Sequence, residues 1–308
     1  MGLLQINNLH VNFPTKAGVV RASDGVSLEI KQGESLALVG ESGCGKTIVA
    51  LSIMRLLPED ARISGEIRFE GKNLLSLGKE EIREIRGREI AMIFEQPATC
   101  LNPVFTVGDQ ISEAVRVHNN CSRKESKERA IELMEMVGIP SPQKRCGQYP
   151  HEFSGGMQQR VMIAIALALS PSLLIADEPT TSLDVTIQAQ IMELLKDLIA
   201  KFKTSLFLIT HNLGVAAEMC DNVAVMYAGE IVERGRLSEV FEYPRHPYTK
   251  ALLGAISNDG LRPIKGSVPE LTRLPNGCRF HPRCPQAENV CRKVRPEMRF
   301  KVRCHLWD

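Results

Sequence analysis

The stretch Gly40-Glu41-Ser42-Gly43-Cys44-Gly45-Lys46-Thr47 follows the apolar run Ser35-Leu36-Ala37-Leu38-Val39 and precedes Ile48-Val49-Ala50-Leu51. It fits the pattern G-x-x-x-x-G-K-[ST], in the strand, glycine-rich turn and helix context that the pattern needs. The glycines allow successive backbone N–H groups and the positive end of the following helix to face the β- and γ-phosphates of a nucleoside triphosphate. Lys46 adds a point charge and Thr47 a hydroxyl for Mg²⁺. ATP or GTP is the expected ligand. An incidental lysine after a glycine turn would leave both flanks to coincidence.

Around this loop the chain has 308 residues, 44% hydrophobic and 24% charged, enough for one large domain or two smaller ones with a sizeable core. The longest apolar stretch near the middle, residues 161–169, ends at Ser170-Pro171 and is too short to span a bilayer. The N-terminus, Met1-Gly2-Leu3-Leu4-Gln5-Ile6, lacks the basic region and cleavage site of a secretory signal, so a cytosolic chain without structural disulfides is expected. Net charge is +2 but unevenly spread: residues 261–308 hold eleven Lys or Arg against four acids, four of the nine cysteines, and prolines at 263, 269, 275, 282, 285 and 296. A boundary within residues 235–260 and a small appended module beyond it are expected.

In the main body, β-like runs at residues 4–11, 26–30, 35–39, 67–69, 90–94, 173–176, 205–210 and 222–227 alternate with helical stretches, the pattern of an α/β sheet with crossover helices. Residues 106–138 read mainly as helix, with Ile131, Met134 and Val137 at helical spacing. A mostly helical insert therefore interrupts the α/β body. No internal repeat or low-complexity segment stands out.

A second motif, Leu173-Leu174-Ile175-Ala176-Asp177-Glu178-Pro179, is an apolar strand ending in two carboxylates. Many strands end in acids before a proline turn. Beside a phosphate loop, however, Asp177 suits the Mg²⁺ shell and Glu178 the polarisation of a water for in-line attack on the γ-phosphate, so hydrolysis is implied. A third motif, Phe153-Ser154-Gly155-Gly156-Met157-Gln158-Gln159-Arg160, leads into an apolar helix about twenty residues before the carboxylates. Ser-Gly-Gly before a helix is commonly no more than a capped turn. As a second anion cradle it makes sense if it meets the nucleotide of another subunit.

In this order the motifs resemble the ATP-binding cassette (ABC) ATPases over residues 3 to about 235. The resemblance implies a P-loop core with a RecA-like mixed sheet and an antiparallel β subdomain (residues 1–95 and 166–235), a helical subdomain insert (96–165) and a Cys-rich C-terminal module (236–308). It implies ATP as ligand, with Phe13 of Leu9-His10-Val11-Asn12-Phe13 stacking on adenine, although an aromatic in an N-terminal strand is more often core. Residues 40–47 cradle the phosphates, with Lys46 catalytic. Ser154, Gly155, Gly156 and Gln158 form the signature motif, and Asp184 in Ser182-Leu183-Asp184 the D-loop. His211 of Leu208-Ile209-Thr210-His211-Asn212 is the switch histidine, and Glu178 and His211 join Lys46 as the catalytic set.

Thr99-Cys100-Leu101-Asn102-Pro103, the run from His246 to Leu253 and Gly277-Cys278-Arg279-Phe280-His281-Pro282-Arg283-Cys284 narrow the resemblance to the oligopeptide and dipeptide importers, with nickel and sugar importers in the same subfamily. The family implies an ATPase subunit peripheral on the cytoplasmic face of the membrane. It pairs head to tail with a second, commonly paralogous, ATPase and docks on two permease subunits served by an external peptide-binding protein. The alternative from another class is a soluble, non-transport ABC ATPase acting on nucleic acid or ribosomes through the basic tail. Such proteins usually carry two cassettes or a coiled-coil insert, so no nucleic-acid partner is expected.

Two positions depart from the family pattern. In Met92-Ile93-Phe94-Glu95-Gln96-Pro97, Glu95 stands where the family has a Gln that touches Mg²⁺ and the attacking water, and Gln96 stands where it has an acid. Glu95 is accordingly a Mg²⁺ candidate beside Thr47 and Asp177. Asn212 replaces the usual acid after the histidine. In the tail, Cys278, Cys284, Cys291 and Cys304 are spaced C-x5-C-x6-C-x12-C, each beside an arginine: Arg279, Arg283, Arg292 and Arg303. Four gathered thiolates need a cation or an iron–sulfur core, whose negative charge the arginines would offset. The wide spacings favour [4Fe–4S] over Zn²⁺, which prefers a tight C-x2-4-C knuckle, and free buried cysteines are the plain alternative. The cluster is expected away from the phosphate loop. Cys44, in that loop near a helix N-terminus, is expected to have a lowered pKa and to alkylate readily.

Overall fold

A computed structural model describes residues 2–181, 183–255 and 264–307. The chain forms two compact units, residues 1–76 with 208–308, and residues 77–207. The first unit opens with β1 (Gly2–Thr15), β2 (Gly18–Lys31), β3 (Ser35–Val39), α1 (Lys46–Met54), β4 (Arg62–Phe69) and β5 (Lys72–Asn73). An antiparallel sheet of order β2-β1-β4-β5 buries Leu4, Ile6, Leu9 and Val11 of β1 on its packed face. These strands outrun the apolar stretches of the sequence. At residues 12–15, 18–21 and 62–66 mostly polar or exposed side chains extend the ladders, which antiparallel pairs tolerate on a solvated face.

The second unit holds α2 (Lys79–Ile85), β6 (Ile90–Ile93), α3 (Pro97–Cys100), α4 (Val107–His118), α5 (Arg123–Met136), α6 (Pro142–Arg145), α7 (Gly155–Ala166), β7 (Leu173–Asp177) and α8 (Val185–Phe202). β6 and β7 pair in parallel from Ile90 beside Leu173 to Ile93 beside Ala176. The mainly helical stretch expected over 106–138 consists of two helices, α4 and α5. α4 ends at Asn119, and Ser122 starts α5 through a capping box with Glu125, each accepting the other's backbone N–H. α7 is buried along Val161, Met162, Ile163 and Ala164, so its apolar run is core.

After β8 (Ser205–Thr210), buried throughout, the chain continues through α9 (Leu213–Met219), β9 (Asn222–Tyr227), β10 (Glu230–Arg236), α10 (Leu237–Glu242) and α11 (Pro247–Gly254). In the first unit β9 runs parallel to β3 and antiparallel to β10, making a mixed sheet. β10, Glu-Ile-Val-Glu-Arg-Gly-Arg, lies beyond the β-like runs of the sequence, and its four charged residues give it no apolar alternation. Glu230 and Glu233 are nevertheless buried, at 2% and 3% exposure. Glu233 accepts the backbone N–H groups of Arg245 (2.8 Å) and His246 (2.9 Å), and Glu230 faces Arg279 (3.1 Å) and Arg295.

The tail expected to stand apart as an appended module belongs to the first unit. Arg234 donates its backbone N–H to Lys301 (2.9 Å), Arg303 donates to Val232 (2.8 Å), and Val302 bridges antiparallel to Glu233, so the tail lies along β10 and covers its edge. Arg279, 6% exposed, joins Asp24, Glu230 and the carbonyl of Ala228. A segment so polar cannot build its own core, and it gains order by supplying cations to buried carboxylates.

Removing one partner of a buried ion pair leaves the other uncompensated. Arg279→Ala should therefore destabilise the protein by about 2–4 kcal/mol, moderated by the remaining Arg295–Glu230 contact. Urea unfolding compared with the parent checks this; an unchanged midpoint would mean the tail is not part of the first unit's stability.

Candidate functional site

The phosphate loop of the first unit is built by close backbone packing. A Cβ on Gly45 would lie 2.1 Å from the carbonyl oxygen of Ala22, and Gly45 has φ +104°; a Cβ on Gly40 would lie 2.2 Å from that of Met226. Only glycine fits at either place. Gly229 donates its N–H to Cys44 (2.9 Å), fixing the back of the loop. α1 starts at Lys46 with Gly45 as cap, no side-chain cap and no acid in its first turn, leaving the N-terminal N–H groups and dipole to an anion. Ser42, Gly43 and Thr47 are exposed, whereas Lys46 is buried and donates to the carbonyls of Gly40 (2.8 Å) and Glu41 (3.1 Å). Phe13 lies on β1 opposite Val20, half-buried. His211 follows β8 and is exposed, and Asn212 caps α9 by accepting from Gly214 (2.9 Å) and Val215 (3.3 Å). Asn and Asp cap equally well, which makes the Asn212 departure mild.

In the second unit β7 ends with Asp177 buried and Glu178 half-buried. Glu178 has φ +46°, a left-handed conformation that is costly for a residue with a Cβ, and its Oε2 accepts from the Thr181 hydroxyl (2.8 Å). Glu95 and Gln96 are exposed just before α3, whose first residue is Pro97. Ser154 caps α7, which opens on Gly155-Gly156 with no acid in its first turn. Gln158 donates to the carbonyl of Pro150 (2.8 Å), bracing the turn that enters the motif. Asp184 caps α8 through the Ile187 N–H (3.0 Å), and Ser182 lies outside the described residues.

Residues 23–181, which carry the loop, the signature turn and the carboxylate strand, match the family model for ABC transporters. The chain belongs to the ABC transporter ATPases. Residues 232–291 match the oligopeptide/dipeptide transporter C-terminal region. Similar proteins include the oligopeptide transport ATP-binding protein AppD of Bacillus subtilis, 49% identical over 99% of this chain and 97% of that protein. The dipeptide transport ATP-binding protein DppD of Bacillus subtilis is 49% identical over 99% of this chain and 95% of its own length. Among solved structures, the dimeric ATP-binding cassette MJ0796 in a post-hydrolysis state bound to ADP and Pi is 28% identical with TM-score 0.68, covering 76% of this chain and 98% of that one. Among the described residues no helix is long and apolar enough to cross a membrane.

The part of this ABC ATPase beyond the cassette reaches the phosphate loop. His246, 1% exposed, caps α11 by accepting the Tyr248 N–H (3.0 Å), with Pro247 at the first helical position. Burial pushes its pKa down to about 3, so it is a neutral cap at all ordinary pH values. Fully buried Tyr248 packs against Tyr227 and Phe280 and accepts the Glu41 N–H at its hydroxyl (2.9 Å). Arg283 grips the Glu41 carboxylate through both Nη atoms, at 2.8 and 3.0 Å. The expectation that the four-cysteine segment lies away from the phosphate loop is thus overturned. Tyr248 lies in the run from His246 to Leu253 and Arg283 beside Cys284, and nothing local marks either as a contact of the phosphate loop.

Cys278, Cys284, Cys291 and Cys304 are free thiols that line one pocket with His281 and Phe280. Burial, reinforced by the other three cysteines, pushes the Cys278 thiol up to about 12. Among the described residues no group of three or more His, Cys, Asp or Glu side chains is drawn close enough to hold a metal ion as it stands. Three of the four adjacent arginines turn elsewhere than charge balance at the sulfurs would have them: Arg279 and Arg283 bind carboxylates, and Arg303 binds the carbonyls of Ile231 (3.2 Å) and Pro296 (3.1 Å). The Cys44 expectation also fails. Its side chain is fully buried, and burial raises its pKa more than Lys46 lowers it.

N-Ethylmaleimide should therefore modify exposed Cys100 in the folded protein and spare Cys44 until the chain is unfolded, as peptide mass spectrometry would read. Early labelling of Cys44 would contradict the packing of the loop.

Proposed function

We propose that this ABC ATPase hydrolyses ATP to drive import of dipeptides or oligopeptides. The observation that carries this reading is the cassette and the peptide-transporter C-terminal region joined in one chain, similar over nearly its whole length to peptide transport ATP-binding proteins. The nickel, sugar and soluble non-transport alternatives have no comparable support.

In this reading the core comprises residues 1–95 and 166–235, the helical subdomain 96–165 and the extension 236–308. Phe13 stacks on adenine, residues 40–47 wrap the phosphates, and Lys46 offsets their charge. Thr47, Asp177 and Glu95 carry the oxygens suited to Mg²⁺, which when bound would neutralise charge on the β- and γ-phosphates. Glu178 takes a proton from water as its oxygen bonds to the γ-phosphorus, the bond to the ADP oxygen breaks, and His211 polarises the γ-phosphate. Ser154, Gly155 and Gly156 meet the γ-phosphate held by a second ATPase, with Gln158 bracing their turn and Asp184 at the paired surface. The second ATPase is a paralogue packed head to tail; two permease subunits hold the pair at the cytoplasmic face, and an external binding protein delivers the peptide.

Glu178→Gln should keep ATP binding, lower turnover by about 10²- to 10⁴-fold as loss of a general base does, and trap an ATP-bound dimer. Lys46→Ala should instead weaken binding itself. Normal hydrolysis by the Glu178 variant, together with failure of the chain to co-purify with membranes carrying the permease subunits, would remove the assignment.

The four tail thiols are proposed to hold a [4Fe–4S] cluster, with Zn²⁺ as the second choice. Support comes from their sharing one pocket and from spacings wider than a zinc knuckle. When bound, the cluster would cross-link turns that have little core of their own. Protein purified without oxygen should be brown with about four irons per chain, and Cys284→Ser or Cys291→Ser should bleach it and lower the melting temperature. One zinc in a colourless protein would change the metal. Four titratable thiols in a metal-free folded tail would remove the site.

A further inference from the structure

A carboxylate at the second position of a phosphate loop is electrostatically awkward. Glu41 follows Gly40 directly, and an unpaired anion there would repel the polyphosphate that residues 42–47 are shaped to receive. The structure answers this with a cation from 242 residues further along the chain. The Arg283 side chain is 4% exposed and donates to both Glu41 carboxylate oxygens, at 2.8 and 3.0 Å. Bidentate pairing of this kind is the strongest and most directional form of the contact. The guanidinium is itself fixed: Nε donates to the Lys265 carbonyl (3.0 Å), Nη2 to that of Ile264 (3.3 Å), and the group lies 5.7 Å from the centre of the Tyr227 ring. Glu41 is also held by its backbone, its N–H by Tyr248 and its carbonyl by Lys46. One residue of the loop is therefore tied to α11, to the cysteine-rich tail and to the loop's own lysine.

We propose that Arg283 is a positioning residue for nucleotide binding: it neutralises Glu41 and draws its carboxylate away from the phosphate face, making the tail part of the machinery that sets ATP affinity. This rests on the reading of residues 40–47 as the ATP cradle. Without the fork, the Glu41 charge is released beside the triphosphate. ATP should then suffer more than ADP, because it carries the extra negative charge.

The test is isothermal titration of the full chain with Mg-ATP and Mg-ADP. Arg283→Ala should weaken ATP by about tenfold or more, as loss of a charged hydrogen-bond pair does, and weaken ADP less. Adding Glu41→Gln to that variant removes the offending charge and should recover at least half of the loss on a logarithmic scale, which a merely structural role for Arg283 would not permit. Should Arg283→Ala fail to fold, Arg283→Gln, which keeps an N–H donor without the charge, takes the same two measurements. Wild-type affinity in the Arg283 variant, or a double variant as weak as the single, would overturn the proposal. Failure of the parent to bind ATP, or unaltered binding in Lys46→Ala, would instead overturn the cradle reading itself.

Discussion

A loop that offers its backbone N–H groups to an anion has to turn its other side against something solid, and here that support is other backbone. The Ala22 carbonyl stands behind Gly45 and the Met226 carbonyl behind Gly40, at distances that admit no side chain. The Gly229 N–H to the Cys44 carbonyl closes the same contact. The hairpin of β1 and β2, the end of β9 and the turn into β10 are thereby fixed to the loop. Any shift of these strands would move the phosphate cradle with them, because close-packed backbone has no soft rotamers through which to absorb strain.

The same region accounts for the charged character of the tail. β10 carries Glu230 and Glu233 into a buried setting, where each needs hydrogen-bonding or charged partners. Glu233 meets the chain entering α11, and Glu230 meets Arg279 and Arg295 of the tail. Three arginines beyond residue 260, Arg279, Arg283 and Arg295, are taken up by the carboxylates of Asp24, Glu41 and Glu230. Those arginines are taken up within the fold rather than offered to a polyanion, and while the four sulfurs share one pocket, the neighbouring Arg279 and Arg283 reach the cassette.

In the second unit, the strain at Glu178 is paired with a restraint. A positive φ at a residue bearing a Cβ stores energy, and the Thr181 hydroxyl holds the carboxylate that the strained turn directs. Asp184 and Gln158, by contrast, satisfy backbone groups in their own segments and so brace the turns that they begin or enter.

The order of motifs was legible in the sequence because each is local: glycines and a lysine at fixed offsets, apolar strands ending in acids, a capped helix after Ser154. Helix ends at Ser122 and Glu125 were equally written there, in a capping box that the broad helical reading of 106–138 passed over. What the sequence alone could not decide were the partners of charges. The strand β10 was not among the expected runs, the tail looked like a separate module, and Cys44 looked reactive, because burial and long-range pairing are properties of the folded chain and leave no local pattern. Glu41 and Arg283 are each unremarkable in their own segments; only the tertiary fold brings the guanidinium onto the phosphate loop, where proximity turns two ordinary surface residue types into one part-buried, bidentate contact.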